Sequence, residues 1–452
     1  RQADRDQSTR RFLRYRQDSG NVPEVMTSKA ADMRAGKAII AGMFLAVLLI
    51  SVLPYLVRSG SLGSEVAGLA SLSIFLCLLP WLVWAAGLDP VSLPVFPVFC
   101  GFLAVFFAAA PFLVPLGWPD GNIILYEILY FDGVDPATQR LLLYGVLAIL
   151  AGYYGAIAGP LAGRSGLQLP RTEFGPWMRV MLWCMGAVHL AYLYIPAVQT
   201  LPSAAQLLDP VGFMAVGGLY LAWRRGKLAV WEKAALVLIL VPLMIYSVVK
   251  VLLITKIFLL GIFMFLLFMY ERQFKFVVIT GLAGLLLLAS YRYTTSYRNF
   301  EGVGIERIKA VVSAIIEDAT SDELINPRTG LVRLDIPPAM ASLIRRIGQY
   351  WVFQHVARTS PEIVPYWHGY SLKPLLTAPV PRVLYPDKPI EDAGRRFGYR
   401  YGILKSSDIR TSVNIPWPTE LLANFGPGGM VAGMGLIGIV MAGVLLGLVG
   451  PN

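Results

Sequence analysis

The chain has 452 residues, of which 56% are hydrophobic and only 15% charged, with a mean hydropathy of +0.60; this excludes an ordinary soluble globular protein. A net charge of +11 suits anionic lipids and anionic substrates. Nucleic acid is a poor partner, because the basic residues are dispersed around apolar runs rather than gathered on one stripe. Cys77, Cys100 and Cys184 all stand in apolar runs without a Cys-x-x-Cys pair, so they read as small buried hydrophobes, not as disulfides or metal ligands.

Residues 1–37 form a polar tail with nine Lys/Arg against five Asp/Glu, including Arg10, Arg11, Arg14 and Arg16. Such a basic tail before the first span stays cytoplasmic. Asp4–Asp6 reads DRD, a superficial likeness to a nucleotide-sugar metal motif with no α/β pattern around it. Apolar runs then predict spans at 38–57, 66–87, 93–115, 141–159, 177–198, 204–223, 234–254, 257–270, 275–291 and 427–449. The predicted fold class is therefore an all-α polytopic membrane protein of about ten helices. Its parts are a tail (1–37), a helical body (38–291), a large outer loop (292–426) and a C-terminal span (427–452). The sequence starts at Arg1 and ends in an apolar run, so further spans are expected beyond it; no cleavable signal peptide is expected.

Loop charges set the orientation. Arg164, Arg171, Arg224, Arg225, Lys227, Arg272 and Lys275 fall on one side, whereas the loop 116–140 has Asp120, Glu127, Asp132 and Asp135 against Arg140 alone. By the positive-inside rule this places 292–426 on the far side of the membrane. Lys250 and Lys256 flank a bend between two closely spaced spans. Two readings stand for them: snorkelling to the outer interface, or an anion-binding lysine beneath the loop.

This loop, about 125 residues without a span, exceeds an ordinary connection and marks a functional domain, despite an excess of Lys/Arg on the outer side. Helical spacing is expected over 305–318 and 339–357, as amphipathic helices on the membrane or capping the bundle. The stretch from Tyr366 to Gly429 is rich in Pro and Arg and cannot cross a bilayer. Arg292, Arg298, Arg382, Lys388, Arg395, Arg396, Arg400 and Arg410 lie near the two ends of the loop, where both ends return to the membrane. Guanidinium groups bind phosphate oxygens through paired donors. Tyr366, Trp367, Tyr370, Tyr385, Tyr399, Tyr401 and Trp417 offer flat faces for sugar rings, or an interfacial belt. Phosphate plus sugar at an outer membrane surface suggests a polyprenyl-diphosphate-linked glycan.

Transfer of such a glycan needs negative charge stabilised on the bridging oxygen and a base near the acceptor hydroxyl. Glu420, Asp408, His368 and His355 are the base candidates; Glu420 reads equally as a carboxylate at a helix start after a Thr419 cap. His189 reads as a packed histidine, and Glu317, Asp318, Asp322 and Glu323 as a solvated helix end rather than a cation site. Asn424–Gly429 reads as a turn into the last helix. No metal-ligand set and no cofactor motif is expected.

Pro381–Pro389 (PRVLYPDKP), then GRRFGYRYG, then TSVNIPWPTELLANFGPGG before an apolar run, resembles the Wzy-type oligosaccharide repeat-unit polymerases. Pro381, Arg382, Pro386, Lys388, Pro389, Glu420, Asn424, Phe425, Gly426 and Gly429 carry the match over about 50 residues. Arg358 and Gly369 also fit the R-x10-G spacing of some members. The resemblance implies a GT-C-like helical glycosyltransferase in the bacterial inner membrane. It would transfer a growing glycan from undecaprenyl diphosphate to a lipid-linked repeat unit at the periplasmic face, with membrane lipids, a chain-length regulator and a flippase as partners. The resemblance together with the residue chemistry assigns Glu420, Arg382 and Arg410 to catalysis, and Lys388, Arg395, Arg396, Arg292, Arg298, Lys250, His368 and Asn424 to substrate binding. An O-antigen-type ligase and a lipid-linked oligosaccharide transporter are the competing readings; the transporter is disfavoured by polar groups gathered in one loop and no internal symmetry.

Overall fold

The computed structural model describes residues 64–91, 93–113, 134–159, 161, 175–199, 204–243, 261, 263–268, 273, 275–280, 309, 313, 349–377, 380, 384–385, 392–409 and 411–449. Every regular element among them is helical, and four are long and apolar enough to cross a membrane: Glu65–Ala85, Val95–Phe112, Pro136–Ala158 and Trp417–Leu448. These fall on the spans expected at 66–87, 93–115, 141–159 and 427–449. The spans expected at 177–198 and 204–223 are helices as well. The span expected at 38–57 and nearly all of the helix expected over 305–318 lie outside the described residues.

Helix α1 (Ser64–Ala85) packs on α2 (Val95–Leu103), which continues through a π-helical turn, Ala104–Ala108, into Ala110–Leu113. The wider turn bonds Ala109 N–H to the Ala104 carbonyl five residues back, and the Phe106 carbonyl accepts instead from Gln349 N–H at 2.9 Å. Thus the π-turn ties the loop's return to the bundle. Helix α3 (Pro136–Ala158) starts five residues before the expected span. The reason is local: the Asp135 side chain accepts from the Ala137 and Thr138 N–H groups, and Pro136 takes N1, where no N–H is needed.

Helices α4 (Pro176–Tyr194), α5 (Ala204–Arg224) and α6 (Val230–Ala235, running into a π-turn over Leu236–Leu240) enclose a small apolar core of Leu182, Leu219, Ala222, Leu228, Leu236 and Leu240. There Glu232, almost fully buried, accepts from Arg179 at 2.8 Å, from Trp183 Nε1 at 3.3 Å and from Ala229 N–H at 2.7 Å. His189 is a packed histidine, as expected: it is buried, with Nδ1 2.8 Å from the Leu208 carbonyl.

The larger core joins α1, α2 and α3 to α7 (Tyr350–Thr359), α8 (Ala393–Arg400) and α9 (Trp417–Val449). Only the part of the amphipathic helix expected over 339–357 that begins at Tyr350 lies in the described helix, and it runs on to Thr359. Its buried face (Tyr350, Trp351, Val352, Phe353, Gln354, Val356) caps the bundle instead of lying on a bilayer. Phe353 is fully buried against Phe107, and Phe96 stacks on Tyr153 at 3.6 Å. Truncating one such ring to alanine costs about 3–5 kcal/mol.

Helices α3 and α9 form the closest seam. A Cβ on Gly438 would stand 2.3 Å from the Ile149 carbonyl oxygen, and one on Gly152 would stand 2.1 Å from the Gly435 carbonyl oxygen. Backbones meet this closely in apolar helix pairs only where small residues line the contact.

The start of α9 corrects the expected boundary. The helix begins at Trp417, ten residues before the expected span, with Pro418 in its first turn. Thr419 is therefore inside the helix; its hydroxyl is buried, with no partner among the described residues, and it is not the cap. Gly426 interrupts the helix at φ 71 and ψ −172, a conformation open essentially to glycine alone. Pro427–Val449, the 33 helical residues less the first ten, is still about 34 Å long at 1.5 Å per residue. That suffices to cross a hydrocarbon core of about 30 Å.

Candidate functional site

The break in α9 builds the site. Pro427 has no N–H, so the Ala423 carbonyl loses its helical donor, and the break at Gly426 removes the donor of Asn424 as well. The backbone of the WHG segment takes both places: Trp367 N–H donates to Ala423 O and His368 N–H to Asn424 O, each at 3.0 Å. The missing side chain at Gly426 makes room for Tyr366, whose ring a Cβ there would meet at 2.8 Å. The expected turn of Asn424–Gly429 is thus a docking port inside one helix. His368 and Gly369 adopt positive φ (49 and 82) and turn the chain into the 3₁₀ turn Tyr370–Leu372.

That turn sets Ser371 over the first part of α9. Asn424 is fully buried, and its side-chain N–H₂ donates to Ser371 Oγ at 2.7 Å and to the Glu420 carbonyl at 2.8 Å. Ser371, also buried, stands beside the Glu420 side chain. Asn424 therefore links Ser371 to the Glu420 backbone in a short hydrogen-bonded chain, with the half-buried Glu420 side chain beside Ser371.

Cations and aromatic rings gather beside this chain. Arg396 lies 5.6 Å from the Tyr370 ring centre and donates to the Tyr370 hydroxyl, and Lys373 lies 5.5 Å from the same ring. Arg400 stands 5.8 Å from the Trp367 ring and donates to the Pro365 carbonyl. Trp367 is set edge-on to Phe397 and Tyr370. Asp392 bonds Arg396 Nε at 2.7 Å and holds its guanidinium above the usual arginine range. Tyr370 is 41% exposed, so its ring is open to a ligand although both cations border it. The result is a cationic, aromatic shelf built on the turn that meets α9.

Five predicted site residues are described. Glu420, Asn424 and Arg396 come together here. His368 is at the same place, but its backbone does the work and its side chain is exposed. Arg395 instead pins the next loop, donating to the Ile409 carbonyl at 2.8 Å. Arg382, Arg410, Lys388, Arg292, Arg298 and Lys250 lie outside the described residues.

Two other base candidates are engaged elsewhere. His355 Nε2 is 2.8 Å from the Tyr401 carbonyl, which requires a proton on that nitrogen. The Asp408 side chain accepts from Thr411 N–H at 2.9 Å. Burial pushes the Tyr401 hydroxyl above its ordinary range, which keeps it protonated beside Ser360, 2.9 Å away. Among the described residues no group of His, Cys, Asp and Glu is arranged to hold a metal ion.

Ser371 and Lys373 are not legible as site residues in the sequence, because only the 3₁₀ turn sets Ser371 on α9 and Lys373 beside the Tyr370 ring. Asp135 is a third. Burial would push its carboxyl up, but the Thr138 hydroxyl, the Thr138 and Ala137 N–H groups and the Arg358 charge outweigh that and hold it below the usual carboxylate range. Asp135 N–H in turn donates to Gln354 Oε1 at 3.1 Å, joining α3 to α7.

Comparison with known proteins yields little that names this site. A protein of Mycobacterium tuberculosis strain H37Rv and one of strain CDC 1551 / Oshkosh, each described as uncharacterized, are both 34% identical to the chain over 144 residues. The match spans 31% of this chain and 29% of each relative. No protein-family model and no solved structure matches the chain.

Proposed function

We propose that the chain is a membrane glycosyltransferase, a polysaccharide polymerase that moves a growing glycan from undecaprenyl diphosphate onto the terminal sugar of an incoming lipid-linked repeat unit. On this reading about ten spans form a GT-C-like body in the bacterial inner membrane, and the shelf faces the periplasm. One observation carries the proposal: a half-buried Glu420, tied through Asn424 to Ser371, stands where the turn bearing Tyr370 and its cations Arg396 and Lys373 meets α9, the helix that continues as a span. The matched motif, which includes Glu420, Asn424 and Gly426, falls on the same structural unit.

The chemistry follows from these groups. The acceptor hydroxyl gives its proton to the Glu420 carboxylate while its oxygen attacks the anomeric carbon. The bond from that carbon to the diphosphate breaks, and its electron pair leaves on the diphosphate oxygen. Inversion at the anomeric carbon results. Arg396 and Lys373 take up the growing negative charge, a role the sequence reading also gives to Arg382, Lys388 and Arg410. Sugar rings lie against Trp367 and Tyr370.

Purified protein supplied with lipid-linked repeat units provides the test. The wild type gives a ladder of products still attached to the carrier, and Glu420→Gln loses roughly 10²–10⁴ in rate, the usual contribution of a general base. Full extension by Glu420→Gln together with Arg396→Ala would remove these residues from the mechanism. Transfer to another acceptor would instead mark a ligase, and lipid movement without a new glycosidic bond a transporter.

A further inference from the structure

An open groove of about 710 Å³ lies between the start of α3 and α9, beside Ala357 of α7, with Asp135, Thr138 and Leu141 on one side and Val431 and Ala432 on the other. We infer that this groove seats the aliphatic tail of the carrier lipid whose head group lies on the shelf. The inference rests on the function proposed above and adds to it a second subsite for the same substrate.

Three observations carry it. First, the groove offers an occupant almost only carbon. Its Asp135 and Thr138 side chains are spent on each other and on the first turn of α3, Asp135 accepting from Ala137 N–H, Thr138 N–H and the Thr138 hydroxyl. Second, the facing residues of α3 and α9 belong to helices of membrane-spanning length, so an apolar chain reaches the groove from within the bilayer. Tyr144 and Leu147 on α3, and Leu436, Ile439 and Val440 on α9, are exposed alongside it, as lipid-facing positions are. Third, the groove continues the shelf along one helix. Residues 420–426 of α9 hold the shelf, and residues 427–432 wall the groove. The glycine break that docks Trp367 and His368 is also the step from polar to apolar surface. A molecule matching both halves is an amphiphile with an anionic, sugar-bearing head and a hydrocarbon tail.

The test uses the full chain in phosphatidylcholine nanodiscs and a polyprenyl phosphate carrying a diazirine in its tail. Irradiation is expected to label peptides bearing Leu141, Val431 and Ala432, and unlabelled polyprenyl phosphate is expected to suppress the labelling. Ala432→Phe, which fills the groove at a lipid-facing position, should lower labelling about tenfold, the equivalent of about two buried methylenes. Absence of labelling in the groove overturns the inference. So does equal labelling by a tail-diazirine phosphatidylglycerol that competes as well as the carrier, since the occupant is then bulk lipid. The two proposals separate cleanly. Groove labelling without glycan transfer sinks the polymerase reading and leaves the groove standing, whereas transfer with an unlabelled groove does the reverse.

Discussion

Replacing Gly426 by alanine tests whether the break in α9 is built into the sequence. The backbone there has φ 71 and ψ −172, where a residue with a Cβ pays about 1–3 kcal/mol of conformational strain. The new methyl group would also stand 2.8 Å from the Tyr366 ring and 2.9 Å from its hydroxyl. Overpacking of that kind costs about 1–3 kcal/mol more. The expected total is about 2–6 kcal/mol of stability, read by equilibrium unfolding in mixed micelles. In a Tyr366→Ala background only the strain remains, so the same substitution should cost about 1–3 kcal/mol less. Exchange of the Trp367 and His368 amide hydrogens should quicken in parallel, because their acceptors are the Ala423 and Asn424 carbonyls. A Gly426→Ala protein as stable as the wild type, or one equally destabilised in both backgrounds, would refute the reasoning.

Three further outcomes follow from the same structure. Asp135→Ala should cost about 1 kcal/mol at neutral pH as a lost helix cap. Because the folded Asp135 carboxyl is depressed, its stabilisation is present above the unfolded value of about 3.9 and is lost as pH falls through the lower folded value. The gap between wild type and variant should therefore close in acid, and a gap that widens there contradicts the assignment. Gly438→Leu should abolish the α3–α9 seam and lower the melting temperature sharply, whereas Gly68→Ala, with nothing within 4 Å, should gain up to about 1 kcal/mol; equal effects would be inconsistent with the seam. Arg179→Ala should cost about 3 kcal/mol by stranding the buried Glu232 carboxylate, and adding Glu232→Leu should restore most of it. No recovery in the double variant would deny the pair its structural role.

Much of the helical body is legible from apolar runs alone, because a bilayer demands long continuous helices. Four expected spans fall on helices of spanning length. The errors occur where polar residues join a helix for local reasons. Asp135 and Pro136 start α3 early through a cap, and Trp417–Phe425 are helical although Glu420 and Asn424 interrupt the apolar pattern. At the site, Glu420, Asn424 and Arg396 are legible by residue type. Ser371 and Lys373 are not, since their role comes from a 3₁₀ turn laid on a helix about fifty residues later in the chain. Asn-Phe-Gly-Pro reads as a turn because glycine and proline usually mark one. Only the position of Pro427, four residues after Ala423, reveals that a carbonyl is being freed for another segment. Arg395 shows the opposite failure: an arginine adjacent to a site arginine supports a loop carbonyl.

A density map of the protein with a lipid-linked repeat unit bound tests the central claim most directly. The diphosphate is expected within hydrogen-bond reach of Arg396 or Lys373, a sugar ring against Trp367 or Tyr370, and the attacking hydroxyl beside the Glu420 carboxylate. A head group seated elsewhere, with Glu420 facing no substrate atom, would contradict it.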